Sequence, residues 1–221
     1  MLSKKTPARE PHNEHEESGS TKERILQVAE EQFAQKGFEG TRTRDIAEQA
    51  GINISTLHFH WKSKEELYTA VYQQLLNRRA KLSEEVFALL TAAPASPESW
   101  QETIQAVVER MFTFFRAHEY AARLETHYLL ATDVSHKVLD QSQAGSLLMS
   151  VAERLRLLMP EKLTRQLDVE LTIMTINAFL REYFTNPVAF GRLLGERSAE
   201  GCEKRVKLHV RQMVARLYDL L

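Results

Sequence analysis

The sequence predicts an all-α protein. Three observations carry that reading: apolar residues recur at three- and four-residue spacing, alternating β-branched runs are missing, and only 8 Gly and 6 Pro punctuate 221 residues. The composition, 43% hydrophobic and 27% charged, is that of a folded globular chain. A chain of this length buries roughly 70% of its unfolded surface and needs neither disulfide nor metal to form a core. The only cysteine, Cys202, excludes an internal disulfide framework and a cysteine-cluster zinc site, and reads as an inert, partly exposed thiol. No apolar run is long enough to span a bilayer, and residues 1–20 lack the hydrophobic core of a signal peptide, so the expectation is a cytoplasmic protein with no membrane partner. The net charge of −1 means that any nucleic acid must be met by a local basic face.

The elements follow in order. Residues 1–19 offer only Met1, Leu2 and Ala8 as apolar side chains and read as a disordered tail. Ser20-Thr21-Lys22-Glu23 has capping-box spacing and is expected to start the first helix, whose Ile25, Val28, Ala29 and Phe33 keep helical spacing up to Gly37. A short helix is expected over about Arg44–Ala50, capped by Thr43 with Asp45 near its positive end and stopped by Gly51. Another runs from about Ile54 to Trp61, capped by Asn53. Ser63-Lys64-Glu65-Glu66 is a second capping box and opens a long helix ending near Leu90. After the small-residue and proline linker at 91–97, helices are expected at about 99–117, 119–131, 135–159, 163–185 and 202–220, with Pro160 and Asn186-Pro187 as breaks. The domain division is therefore a tail (1–19), a three-helix domain (20–68) and a larger helical domain (69–221).

The informative stretch is Gly37 to Trp61. Ile46, Ala50, Ile52 and Leu57 form an apolar seam between two short helices, Ala47 is small where they cross, and Gly51 permits the sharp turn. The outer side of the second helix carries Ile54, Ser55, Thr56, His58 and Phe59, with no acid among them. A helix that enters a major groove wants small donors, an apolar atom for a thymine methyl and no carboxylate facing phosphate. Arg42 and Arg44 precede this face, and Lys62 and Lys64 follow it. Residues 21–68 hold seven basic and eight acidic side chains, so the charge is arranged rather than abundant.

Gly37 to Leu67 resembles, nearly in full, the helix-turn-helix motif of the TetR (tetracycline-repressor-like) family of bacterial transcription regulators. The departures are His58 for the usual tyrosine, Ser55 for the usual glycine and Trp61 for the usual phenylalanine. The resemblance implies that Thr43, Thr56, His60 and Lys64 touch phosphates and that Ile54, Ser55, His58 and Phe59 approach base edges of a double-stranded operator. It also implies a C-terminal domain that binds an effector and dimerises.

Enzyme signatures are missing: there is no nucleophile elbow, P-loop or dinucleotide fingerprint, and His118-Glu119 lacks the second histidine of a zinc-protease helix. His58 and His60 lie about 200° apart on a helix and cannot share a metal. Neither a metal nor another cofactor is expected. Most aromatics of the middle helices read as core. Beyond that core stripe, Phe112, Arg123, His127 and Tyr128 are the candidates for lining the implied pocket, whose occupant would be an apolar or aromatic small molecule. The 163–185 helix is apolar around much of its circumference, including Leu171, Met174 and Ala178. The last helix repeats Val206, Val210, Met213 and Leu217. The family resemblance implies that such a pair forms a four-helix bundle with the same pair of a second copy, a homodimer. The function expected is a ligand-responsive repressor of a palindromic operator. A DNA-bound interaction protein controlled by a protein partner, without a pocket, is the other reading left open.

Overall fold

The computed structural model describes residues 14–92, 97–130, 141–158 and 168–219. In chain order it contains α1 (Glu14–Gly40), α2 (Thr43–Gln49), α3 (Ile54–His60), α4 (Lys64–Thr91), α5 (Pro97–Ala117), α6 (Ala121–Leu130), α7 (Gln141–Leu158), α8 (Val169–Thr185), α9 (Pro187–Leu193) and α10 (Ala199–Asp219). The described residues contain no strand.

Three local expectations are corrected. α1 already runs from Glu14, so the capping box at Ser20 lies inside the helix and residues Glu14–Gly19 are not an unstructured tail; residues 1–13 of that expected tail lie outside the described residues. α2 takes Arg42, not Thr43, as its N-cap, without a side-chain cap bond, because the Arg42 carbonyl already accepts from Asp45 and Ile46. Asn186-Pro187 does more than break the 163–185 helix. The Asn186 side chain accepts from the Ala189 N–H at 3.0 Å and Pro187 opens α9, the pairing of cap and first-turn proline that starts a helix.

The N-terminal core forms where α1 packs on α4 and on the α2–α3 pair. Phe33, Phe38 and Tyr68 meet with ring centroids 4.9 and 5.1 Å apart across α1 and α4, beside buried Ile25, Ile46, Leu57, Trp61 and Leu67. Trp61 thus fills the position expected of a phenylalanine. α1 bends at Gly37, whose φ of 69° and ψ of −179° lie in a region that only glycine occupies readily. A Cβ there would also sit 3.1 Å from Nδ1 of His127.

In the body, α5 packs on α4 and α10, while α8 packs on α6 and α7. Phe112, expected outside the core stripe, is buried because α8 covers it with Tyr183 and Phe184, and Phe114 is buried beside the Arg79 guanidinium of α4. Cys202 is buried beneath Gly191 rather than partly exposed, and burial pushes its thiol pKa up. Inside the body lies an ion pair: Arg79 Nε is 3.0 Å from Glu125 Oε1, Arg79 donates to Asn177 Oδ1 at 2.7 Å, and its guanidinium lies over the Phe114 and Phe115 rings. Burial raises the Glu125 carboxyl above its ordinary range, with Arg79 and Arg181 pulling the other way.

Two outcomes follow. Gly37→Ala is expected to destabilise the chain by about 2 kcal/mol, measured by urea unfolding; an unchanged midpoint would show that the bend is not enforced. Because Glu125 titrates higher in the folded chain, the native state holds a proton there that the unfolded chain has released once pH exceeds about 4.3. This group's contribution to stability therefore falls as pH rises through the window between the two values. Glu125→Gln should flatten that part of the stability–pH curve, and an unaltered slope would assign it elsewhere.

Candidate nucleic-acid interface

The geometry of the two short helices is set by their ends. At Gly51 (φ 66°) the chain reverses through paired bonds, Gly51 N–H to the Glu48 carbonyl and Ile52 N–H to the Ala47 carbonyl, both 3.0 Å. Asn53 caps α3 as expected, its side chain accepting from the Thr56 N–H at 2.7 Å and the Thr56 hydroxyl at 3.0 Å. Ser63 caps α4 by accepting from the Glu66 N–H, and Glu66 reaches back to the Lys62 N–H at 2.8 Å. Leu57 and Trp61 anchor the inner side of α3 in the core. Its outer side is thereby turned to solvent: Ser55, His58 and Phe59 are exposed, while Ile54, Thr56 and His60 are half-buried.

Around this face Arg42, Arg44 and Lys62 are exposed, and Thr43 is half-buried in the first turn of α2. Lys64 is placed differently from the rest of the rim. It is half-buried, its Nζ donates to the Thr41 carbonyl at 3.1 Å and it lies 4.3 Å from the Phe38 ring centroid, so it ties α4 to the end of α1. Sequence reasoning missed Lys22. This exposed residue of α1 carries its ammonium 5.7 Å from the Trp61 ring, at the C-terminal end of α3. Nothing local signals that contact, since α1 and α3 meet only in the folded domain.

Each of the four residues expected to line a pocket has a place within this chain's own packing. Phe112 is in the core and Tyr128 stacks on Tyr72 with centroids 4.4 Å apart. Arg123 donates to the Thr185 carbonyl at 3.2 Å, and a ring nitrogen of His127 lies 3.2 Å from the Ala34 carbonyl of α1. The polar groups that do converge inside the body are Arg79, Glu125 and Asn177, which the sequence reading left out.

The residues expected at a subunit contact divide in the same way. Leu171 and Met174 are 59% and 54% exposed, and Ala178 is exposed beside them on α8. Val206 and Val210, however, are buried in this chain's own core; Met213 is half-buried, and Leu217 lies outside the described side chains. Among the described side chains of α10, the exposed large apolar residue is Leu208, at 51%.

Two short helices joined by a tight turn, the second with its outer side bare, define a helix-turn-helix domain set on an all-helical body. Residues 25–71 match the model for bacterial regulatory proteins of the tetR family. The chain is 46% identical over 56 residues to the transcriptional regulator RutR of Escherichia coli, a stretch covering 25% of this chain and 26% of the relative. It is 34% identical over 85 residues to the transcriptional repressor KstR2 of Mycolicibacterium smegmatis, covering 34% of this chain and 42% of the relative. The chain thus spans between a quarter and about two fifths of the length of these curated relatives. In three dimensions the likeness is wider. A transcriptional regulator from Aquifex aeolicus shares the fold at 22% identity and a TM-score of 0.59, covering 87% of this chain and 99% of its own. The fatty acid degradation regulator FadR of Bacillus halodurans does so at 16% identity and a TM-score of 0.59, covering 93% and 97%.

Lys22, Arg42, Arg44 and Lys62 of two copies would neutralise about eight phosphates, giving a log–log salt slope of about −7 for duplex binding. Arg44→Ala should reduce the magnitude by about 2. A wild-type slope near −1 would show that this rim does not meet phosphate.

Proposed function

We propose that this chain is a homodimeric, ligand-responsive transcriptional regulator, a repressor that binds a palindromic double-stranded operator and leaves it when a small molecule occupies the body. The observation that carries the reading is the outer face of α3: solvent-facing, free of acids and bordered by exposed Arg42, Arg44, Lys62 and Lys22. Exposed basic side chains beside an acid-free helix that fits a major groove are the footprint of a duplex partner. On this reading Thr43, Thr56 and His60 sit toward the backbone and Ile54, Ser55, His58 and Phe59 toward base edges.

Two copies are needed because one seven-residue helix reads too few bases, and pairing places two such helices about 34 Å apart on successive turns. The exposed apolar residues of α8 and α10 support a second copy as the partner: Leu171, Met174 and Leu208 lie more than half exposed, a cost in water that a four-helix contact removes. The effector is proposed as an apolar or aromatic molecule with a polar group that competes for the Arg79–Glu125–Asn177 cluster, since breaking a buried pair is a large local change within reach of α4.

The test is selection of duplexes from a random pool by the full-length chain, with particle mass measured by light scattering. An inverted-repeat motif bound by a dimer is expected. Leu171→Glu with Met174→Glu should give a folded monomer with binding weakened at least tenfold, because buried unpaired carboxylates oppose association. A pool that enriches no sequence, or a double variant that stays dimeric, overturns the reading.

A further inference from the structure

Phe59 is 82% exposed. It lies two residues from Leu57 and two from Trp61, about 200° around the helix from each, and both of those are buried. The fold that anchors α3 therefore pushes a phenyl ring outward into water. Its ring meets the edge of His60, with centroids 5.3 Å apart. Ser55 lies one turn earlier in the same column, and exposed Arg42, Arg44 and Lys62 surround the face. Among the large apolar side chains of residues 21–92, it is the one that the structure leaves exposed.

A phenyl ring carries no donor or acceptor, so it is blind to the hydrogen-bonding edges of guanine, adenine and unmodified cytosine. The apolar feature of the major groove is the C5-methyl of thymine, and 5-methylcytosine presents a methyl at the same ring position. We propose that Phe59 is a specificity determinant that reads the C5-methyl of a pyrimidine, so that the operator half-site places a thymine beneath it and the protein accepts 5-methylcytosine there in preference to cytosine. The proposal rests on the DNA-binding reading above and adds what is read. The exposed ring has a reason to be there: contact with a methyl removes apolar surface from water on both sides. At about 0.8 kcal/mol per buried methyl-sized group this is about fourfold in affinity per half-site and about fifteenfold for two.

The test uses a duplex enriched from the random pool by the full-length chain. Each symmetric pair of thymines is replaced by deoxyuridine, which removes only the methyl. Wild type should lose about fifteenfold at one such pair, and cytosine at that pair should bind more weakly than 5-methylcytosine. Phe59→Ala should bind the parent duplex more weakly by a similar factor and be indifferent to deoxyuridine at that pair alone. Phe59→Leu, which keeps an apolar contact, should retain part of the methyl dependence; unchanged melting of both variants is expected from so exposed a position. Binding insensitive to every thymine methyl, or a Phe59→Ala chain as sensitive as wild type, overturns the inference while leaving the DNA-binding reading intact. Failure of the pool to enrich any sequence overturns both.

Discussion

The α4 helix is the constraint on which the rest of the molecule depends. It is continuous from Lys64 to Thr91, and its buried residues run through one core shared by the N-terminal domain and the body. Leu67, Tyr68 and Val71 close the N-terminal domain, whereas Leu75 and Leu82 are buried farther along. A helix of this length spans about 40 Å and so links the body to Ser63, three residues past the end of α3. Its middle is held from both sides. Arg78 grips Glu30 of α1 with bonds of 2.6 and 3.0 Å, and Tyr72 stacks on Tyr128 of α6.

The second link between body and recognition domain runs through α6. His127 reaches the Ala34 carbonyl near the end of α1's regular part, one turn before the bend at Gly37. The Gly37 carbonyl accepts from the Thr41 hydroxyl at 2.7 Å, and the Thr41 carbonyl accepts from Lys64. These bonds bring α6, the end of α1 and the first turn of α4 into one contiguous set just ahead of α2. Lys64 is more useful as this tie than as one more free cation. Four exposed basic residues already lie beside a helix with no carboxylate, and Asp45 of α2 is 3.8 Å from Lys36.

Much of the N-terminal domain was legible in the sequence because its determinants are local. Asn53 and Thr56, Ser63 and Glu66, and Gly51 with Glu48 lie within a few residues of one another, so spacing alone specifies the bonds they make. The same locality misled at Ser20 and Thr43: a capping signature shows where a helix is able to start, not where neighbouring turns let it start. Asn186-Pro187 carried the signal for α9 all along, but a cap and first-turn proline also mark a break, and only the seven helical residues that follow distinguish the two.

By itself the sequence determined that the chain is helical, where most helices lie, and that α3 shows a bare, acid-free face beside basic residues. Those are properties of periodicity and of contacts within a turn or two. The tertiary structure decided which partner each face meets. Periodicity put Val206, Val210 and Met213 on one stripe of α10 but was silent on whether this chain or another subunit covers it; Val206 and Val210 are covered within the chain, whose α5 and α9 pack on α10, and Leu208 is left outside. Arg79 meets Asn177 across 98 residues and His127 meets Ala34 across 93, pairings set by how helices stack and not by any pattern along the chain. Side chains on an amphipathic helix know their side but not their neighbour, because burial is nondirectional and only packing selects among the surfaces that satisfy it.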